Sequence, residues 1–197
     1  MYTNVTDILS KSTSDKENGH RYGIIYDLLL NTLRLKIGRS LNILELGVSQ
    51  FGSGSLKAFA KLSIVRHIVG VDLEPYDIPP RQADKITFHQ LDVYSEKTIK
   101  TLKRTHGEFD IIIDDATHER SDQLYFLHNY DQLRSEHGIL ICEDVWSPKL
   151  IYQMPDDVYV LDLRYNTYKT DNILLIRGGF GSGLPYARSG ATDGKKP

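Results

Sequence analysis

The sequence predicts a doubly wound, Rossmann-like α/β fold: a sheet of seven strands that ends in an antiparallel C-terminal hairpin. Three observations lead there. After Gly38, short apolar and β-branched runs alternate with amphipathic segments, the signature of βαβ units around a parallel sheet. The central runs, Ile111-Ile112-Ile113 and Ile139-Leu140-Ile141, are apolar at consecutive positions, as strands covered by helices on both faces must be. The last two runs are parted only by residues 166–171, too few for a crossover helix and suited to a hairpin.

The elements follow in order. Residues 1–20 are polar, and Ile25, Leu28, Leu29 and Leu33 then recur at helical spacing through Leu35, which predicts a helix on the flank of the domain. Residues 1–38 form a helical segment expected to pack on the domain and cap its ligand site. Strand runs occupy 41–48, 67–73, 86–92, 109–114, 138–143, 158–165 and 172–177, so the main domain is 39–178. Beyond Gly178 the chain is rich in Gly, Ser, Ala, Pro and Lys, and 179–197 reads as a flexible tail or substrate-side flap. No internal repeat has a solenoid or propeller period.

Composition narrows the function classes. With 197 residues and 40% hydrophobic content, the chain suits one ordinary domain with a real core. Lys and Arg total 24 against 26 Asp and Glu, so no net field draws it to nucleic acid or a membrane surface. A small molecule is the expected partner, and a homo-oligomer is compatible with this reading. The one cysteine, Cys142, lies in an apolar run; it excludes an internal disulfide framework and reads as a buried structural thiol. No stretch nears the roughly 20 apolar residues of a membrane span, and the N-terminus is too polar for a signal peptide. The expected location is cytoplasmic.

The first strand leads through Glu45-Leu46-Gly47-Val48-Ser49-Gln50-Phe51-Gly52-Ser53-Gly54-Ser55 into a helix, with Ser53 or Ser55 available as N-cap. Glycines 47, 52 and 54 do not have the G-x-G-x-x-G spacing that seats a pyrophosphate, and Ser53 stands where a P-loop needs lysine. Glu45 would itself repel a pyrophosphate. It suits a cofactor with a cationic amino-acid portion. Asp72 ends the second strand, where this fold grips ribose hydroxyls, each able to donate to a carboxylate oxygen. Asp92 ends the third strand and is expected to accept from an adenine amino group.

The most specific feature is the pair of segments Asp114-Asp115-Ala116-Thr117-His118 and Glu143-Asp144. They end the fourth and fifth strands, which are neighbours about 4.8 Å apart in a doubly wound sheet. Asp115, Glu143 and Asp144 would then meet beside the cofactor crevice and repel one another unless a cation joined them. Oxygen ligands favour a hard cation, Mg²⁺ first, with Mn²⁺ or Ca²⁺ as alternatives. His118, three residues after Asp115, has an ordinary pKa of about 6.5 and suits a general base for a substrate hydroxyl.

Together these segments resemble the metal-dependent O-methyltransferases of macrolide-antibiotic sugars and their cephalosporin hydroxylase-like relatives. The resemblance runs from residue 14 to 178, through Ser14-Asp15-Lys16, His20, Tyr22 and Tyr26, the Glu45/Gly47/Gly52 loop, Asp72, Asp-Asp-x-x-His and Glu143-Asp144. It departs from the family at Ala116-Thr117, where Gly then Ser is usual, and at Asp92-Val93, where relatives carry Asp-Gln. The resemblance implies the class I methyltransferase sheet, with S-adenosylmethionine as cofactor. It implies cofactor contacts from Glu45, Gly47, Gly52, Asp72, Asp92, Asp114 and Tyr22, the last closing over the site with His20. It implies a metal on Asp115, Glu143 and Asp144, with His118 as base.

The expected reaction is Mg²⁺-dependent methyl transfer to a hydroxyl of a small molecule, a sugar or glycosylated natural product, in natural-product or polysaccharide biosynthesis. A catechol-like acceptor would satisfy the same chemistry. Two rival readings are a module that binds S-adenosylmethionine without catalysis, and a metal-dependent hydrolase or phosphotransferase. The latter is disfavoured because no Walker lysine and no second ligand cluster for a two-metal site are present.

Overall fold

A computed structural model describes residues 2–48, 53–76, 78, 80–146, 150, 153–167 and 170–178. Gly52 and the 179–197 segment, each with an expectation attached, lie outside the described residues. Seven strands form one sheet in the order β3-β2-β1-β4-β5-β7-β6: β1 (Leu41–Leu46), β2 (Val65–Asp72), β3 (Ile86–Gln90), β4 (Phe109–Asp114), β5 (Arg134–Cys142), β6 (Val158–Asp162) and β7 (Ile173–Gly178). The first five pair in parallel. β7 runs antiparallel to both β5 and β6, so the predicted hairpin closes the sheet, with a short helix, α7 (Arg164–Thr167), in its connection.

Successive strand residues point to opposite faces, and the β4 triplet divides accordingly. Ile111 and Ile113 join a core shared with the N-terminal helices, while Ile112 joins the core under the helices that follow β3 and β4. The second face is covered by α5 (Glu96–His106) and α6 (Arg120–Asn129). Ser95 caps α5 by accepting from the Lys97 N–H, which satisfies one of the donors that a helix start leaves unpaired. Cys142 is fully buried on this side, as a structural thiol should be.

The first face carries α1 (Val5–Ser10), α2 (Asp15–Asn18), α3 (Gly23–Ile37) and α4 (Gly54–Ala60). The polar stretch of residues 2–20 is thus folded, which its composition does not suggest: Val5 and Leu9 are wholly buried, and α1 is tied to α3 where Asp27 accepts from the Val5 N–H and Thr6 Oγ1. The α3 stripe also differs from the expected one. Tyr26, Leu29, Leu30 and Leu33 face the core, while Leu28 is 63% exposed. Gly38, left-handed at φ 77°, ends the helix, the usual role of glycine there. No helix among the described residues is long and apolar enough to cross a membrane.

Candidate functional site

Glu45, Asp115 and Glu143 stand at the C-terminal ends of three adjacent strands, β1, β4 and β5. Glu45 pairs with Ile113, and Ile113 with Ile141, so by period-two alternation all three acids face the side of the sheet that carries α1 to α4. What meets them is Lys16 of α2, which is fully buried. Its Nζ lies 2.6 Å from Asp115 Oδ2, 2.5 Å from Glu143 Oε2 and 3.3 Å from Glu45 Oε1. Charge-assisted contacts of this length are the strong class of hydrogen bond. Burial would lower the Lys16 pKa, but the facing carboxylates outweigh it and hold the ammonium charged.

The other Asp115 oxygen turns to His118, whose Nε2 lies 3.2 Å from Oδ1 and 4.0 Å from Asp144 Oδ2. Asp144 is held from the N-terminal side, where Tyr22 donates its hydroxyl to Oδ1 at 2.7 Å and His20 Nδ1 approaches the same atom at 3.2 Å. Tyr26 donates to Glu143 Oε1. Gln123 Nε2 donates to the Glu143 carbonyl oxygen at 3.0 Å, fixing the backbone from the α6 side.

The backbone is unusual at the same place. His118, Asp144 and Ser53 adopt left-handed conformations at φ 58°, 52° and 57°, which non-glycine residues seldom adopt except where surroundings enforce it. Ser53 takes the N-cap position of α4 without a capping side-chain bond. Gly47, at φ 80°, passes so near the next strand tip that a Cβ would lie 2.3 Å from the Asp115 carbonyl oxygen. Only glycine fits, and it leaves bare backbone at the mouth of a hollow bordered by Ser14, Gly54, Ser55, Asp115 and His118.

The remaining predicted residues lie around this rim. Glu45 is wholly buried, with Lys16 and Ser55 as its polar neighbours, and burial raises its pKa despite the Lys16 charge. Asp72 accepts from the Val48 N–H at 2.8 Å and the Glu74 N–H at 3.0 Å, which binds the tip of β2 to the Gly47 loop. Asp92 accepts from the Tyr94 N–H at 3.0 Å. Asp114 points to the opposite face, taking the Tyr94 hydroxyl at 2.8 Å, and burial pushes its pKa up to about 7.

The electrostatics fit a cation. Burial raises the pKa of Glu143 and Asp144, and the Asp115 charge beside them raises it further. Asp115 itself is held low, because Lys16 and His118 outweigh its own burial. His118 is raised: burial opposes its charge, but the Asp115 hydrogen bond and the surrounding acids prevail. Donor atoms of Asp115, His118 and Asp144 come within 4.8 Å of one another. Glu143, expected among the metal ligands, instead gives its two oxygens to Lys16 and Tyr26.

Lys16 is the residue that reasoning from charge patterning missed. Its signal was present in Ser14-Asp15-Lys16: Ser14 caps α2 by accepting from the Lys16 N–H, which starts a helical turn and aims the lysine inward.

Comparison with known proteins bears on the fold. No family model matches the chain. Over 114 residues, 54% of this chain and 28% of the relative, it is 27% identical to the 8-demethyl-8-(2-methoxy-alpha-L-rhamnosyl)-tetracenomycin-C 3'-O-methyltransferase of Streptomyces olivaceus. Among solved structures, MycE methyltransferase of the mycinamycin biosynthetic pathway, in complex with Mg and SAH, matches with a TM-score of 0.70 and 17% identity, over 94% of this chain and 58% of that one. The O-methyltransferase TomG of Streptomyces achromogenes, in complex with SAM, matches at 0.57 and 16% identity, over 87% and 89%. The chain therefore spans under a third of the curated relative and somewhat over half of MycE. The strand order, the antiparallel closing hairpin and these superpositions establish that the chain has the class I methyltransferase fold.

Proposed function

We propose that the protein is a metal-dependent O-methyltransferase that passes the methyl group of S-adenosylmethionine to a hydroxyl of a small molecule, a sugar or a glycosylated natural product. The observation that carries this reading is the convergence of acids from three adjacent strand tips beside His118 and the bare Gly47 backbone. The likeness to O-methyltransferases of sugar-bearing natural products supports it.

In this reading the cofactor lies along the rim formed by Glu45, Gly47, Asp72 and Asp92. Glu45, at the end of β1, faces its ammonium. Asp72 offers its carboxylate to the ribose. Asp114 backs the site from the far face, and Tyr22 closes it through Asp144. Asp115 and Asp144 would hold the metal. Glu143 would join them only by exchanging Lys16 or Tyr26 for the ion. A hard divalent cation, Mg²⁺ first, prefers their oxygens to an imidazole, which leaves His118 available as a base. When bound, the ion supplies positive charge that lowers the pKa of a neighbouring hydroxyl.

His118, whose Nε2–H is held by Asp115 Oδ1, then accepts the proton at its other ring nitrogen, Nδ1, and the freed oxygen attacks the sulfonium methyl. The bond from methyl to sulfur breaks as the bond to oxygen forms. Asp115 Oδ1 orients the imidazole and stabilises its charged form.

Calorimetry with S-adenosylhomocysteine, with and without Mg²⁺, tests the assignment. The expected result is saturable binding and, in a separate turnover assay with S-adenosylmethionine and a sugar acceptor, methyl transfer that chelator abolishes and Mg²⁺ restores. Binding of NAD or ATP in its place, or full turnover in excess chelator, would overturn it.

A further inference from the structure

The sheet has two edge strands, β3 and β6, and they are built differently. β3 carries Thr87, His89 and Gln90 along its length, and His106 of α5 closes on His89. β6 reads Val158-Tyr159-Val160-Leu161-Asp162, four consecutive apolar residues with no proline or lysine and no break in its register with β7. Charge, proline and bulges are the usual means by which an edge strand refuses a new partner. β6 has only Asp162, at its end.

The hydrogen-bond pattern fixes which backbone groups this edge offers. The Leu163 N–H donates to the Asn172 carbonyl oxygen at 2.9 Å, and the same register continues through Leu161 with Leu174 and Tyr159 with Ile176. Bonded pairs alternate with unbonded ones in an antiparallel ladder. Tyr159, Leu161 and Leu163 therefore direct their N–H and C=O groups at β7, while Val158, Val160 and Asp162 turn theirs outward. The Val158 N–H is taken by the Pro155 carbonyl oxygen at 3.3 Å. That leaves on the edge the Val160 N–H and C=O, the Asp162 N–H and the Val158 C=O, and no strand among the described residues pairs with them.

We propose that β6 pairs with β6 of a second copy of this chain, antiparallel about a two-fold axis at Val160, so that one sheet runs through a dimer. An axis perpendicular to the sheet keeps each face on its own side, and opposed residues must share a face. Of the registers that satisfy this, centring on Val160 pairs all five residues. It also sets outward groups against outward groups: the two Val160 residues bond reciprocally, and each Asp162 N–H donates to the Val158 C=O of the other copy. Tyr159 then stands beside Leu161 of the other copy on each side of the axis, the kind of cross-strand pair that stabilises a ladder. Beyond the strand, Arg164 and Tyr165 at the start of α7 come to the turn at 155–157 of the other copy. There Tyr165, 99% exposed in the single chain, meets Pro155, and Arg164 meets the opposite charge of Asp156. β7 is antiparallel to both β5 and β6, so β6 runs with β5, and the axis sends the strand tips of the two copies in opposite directions. Both hollows at Gly47 stay open. Five paired residues a side make a contact below the roughly 1,200 Å² of a standard stable interface, so the dimer forms in the micromolar range.

Sedimentation velocity on the full chain, from below to above micromolar concentration, tests the pairing, and its outcome does not depend on the methyltransferase reading. The expected result is a concentration-dependent shift from monomer to dimer. Val160→Lys should weaken the dimer by about tenfold or more, because two like charges then face each other across the axis. It should leave the urea midpoint of the monomer unchanged, since Val160 is already 37% exposed. Oxidation of cysteine variants reads the register, with the native Cys142 buried and out of reach. Val160→Cys should give a disulfide-linked dimer, because directly opposed residues lie about 5.5 Å apart at Cα. Asp162→Cys should not, because its two copies stand roughly 14 Å apart. A chain that is monomeric at every concentration, or a dimer that Val160→Lys leaves intact, would overturn the pairing. So would equal cross-linking of the two cysteine variants, which decides the matter even if Val160→Lys fails to fold.

Discussion

His118 and Asp144 hold left-handed backbones, which cost roughly 1–2 kcal/mol each in L-residues. The turns that follow β4 and β5 hold them there, and both side chains are thereby returned to the Asp115 corner. His118→Ala should keep cofactor affinity yet lose roughly 10²- to 10⁴-fold in rate, the range of a general base, with partial recovery at high pH, where the acceptor hydroxyl ionises without help. A single-turnover pH profile checks this, and a variant as fast as wild type at neutral pH would remove His118 from catalysis. Gly47 is constrained in another way. Gly47→Ala forces a methyl onto the Asp115 carbonyl oxygen at a positive φ, so it should cost about 1–3 kcal/mol in urea unfolding and weaken metal binding through the displaced Asp115. These residues were legible in the sequence because each sits where an apolar strand run ends. Lys16 was not, since a lysine in a polar stretch has no periodicity to set it apart.

The element that assembles the site is the N-terminal segment, α1 to α3. Its contribution is an ammonium, two phenols and the His20 imidazole inserted among the strand-tip acids. The parallel sheet was legible because its β-branched runs are long and consecutive. The helices α1 and α2 span six and four residues, too short for a 3.6-residue period to declare itself. The α3 stripe was misjudged at Leu28 because a helix with apolar residues on several faces leaves the buried face to be chosen by packing. Lys16→Met tests how the segment is held. Removing one partner of a buried ion pair leaves uncompensated charge and typically costs about 3–5 kcal/mol. Urea unfolding should show that loss, and Mg²⁺ should restore more stability to the variant than it adds to wild type, because the bereft carboxylates accept a second cation. An unchanged midpoint would mean that α1 and α3 hold the segment without the lysine.

At the scale of the whole molecule, two clusters of titrating groups among the described residues respond to acid in opposite senses. At the strand tips, Asp114, Glu143 and Asp144 have raised pKa values in the fold. Their contribution is fully present below the unfolded carboxylate pKa and is lost as pH rises through the folded value. At the β3 edge of the sheet, His67, His89 and His106 form a second cluster. His89 and His106 meet Nε2 to Nε2 at 2.7 Å, and the His67 and His106 rings stack at 6.1 Å. One ring must donate and the other accept, so a second proton on the pair would set two N–H groups against each other. Burial lowers the pKa of all three, helped at His67 by Arg66 and at His106 by its two neighbours. The unfolded chain therefore binds these protons more readily than the fold does. The stability they contribute is present above about pH 6.5, the unfolded value, and is lost as pH falls through the depressed folded values. His106→Gln keeps a hydrogen-bonding side chain but cannot take up the proton. Its Tm should fall less than that of wild type when pH is lowered from about 7.5 to 5.5, the range in which histidine titrates. Because both proteins share the strand-tip acids, the difference between the two Tm curves isolates the histidines. Parallel curves would show that the trio is protonated in the fold as easily as in the unfolded chain.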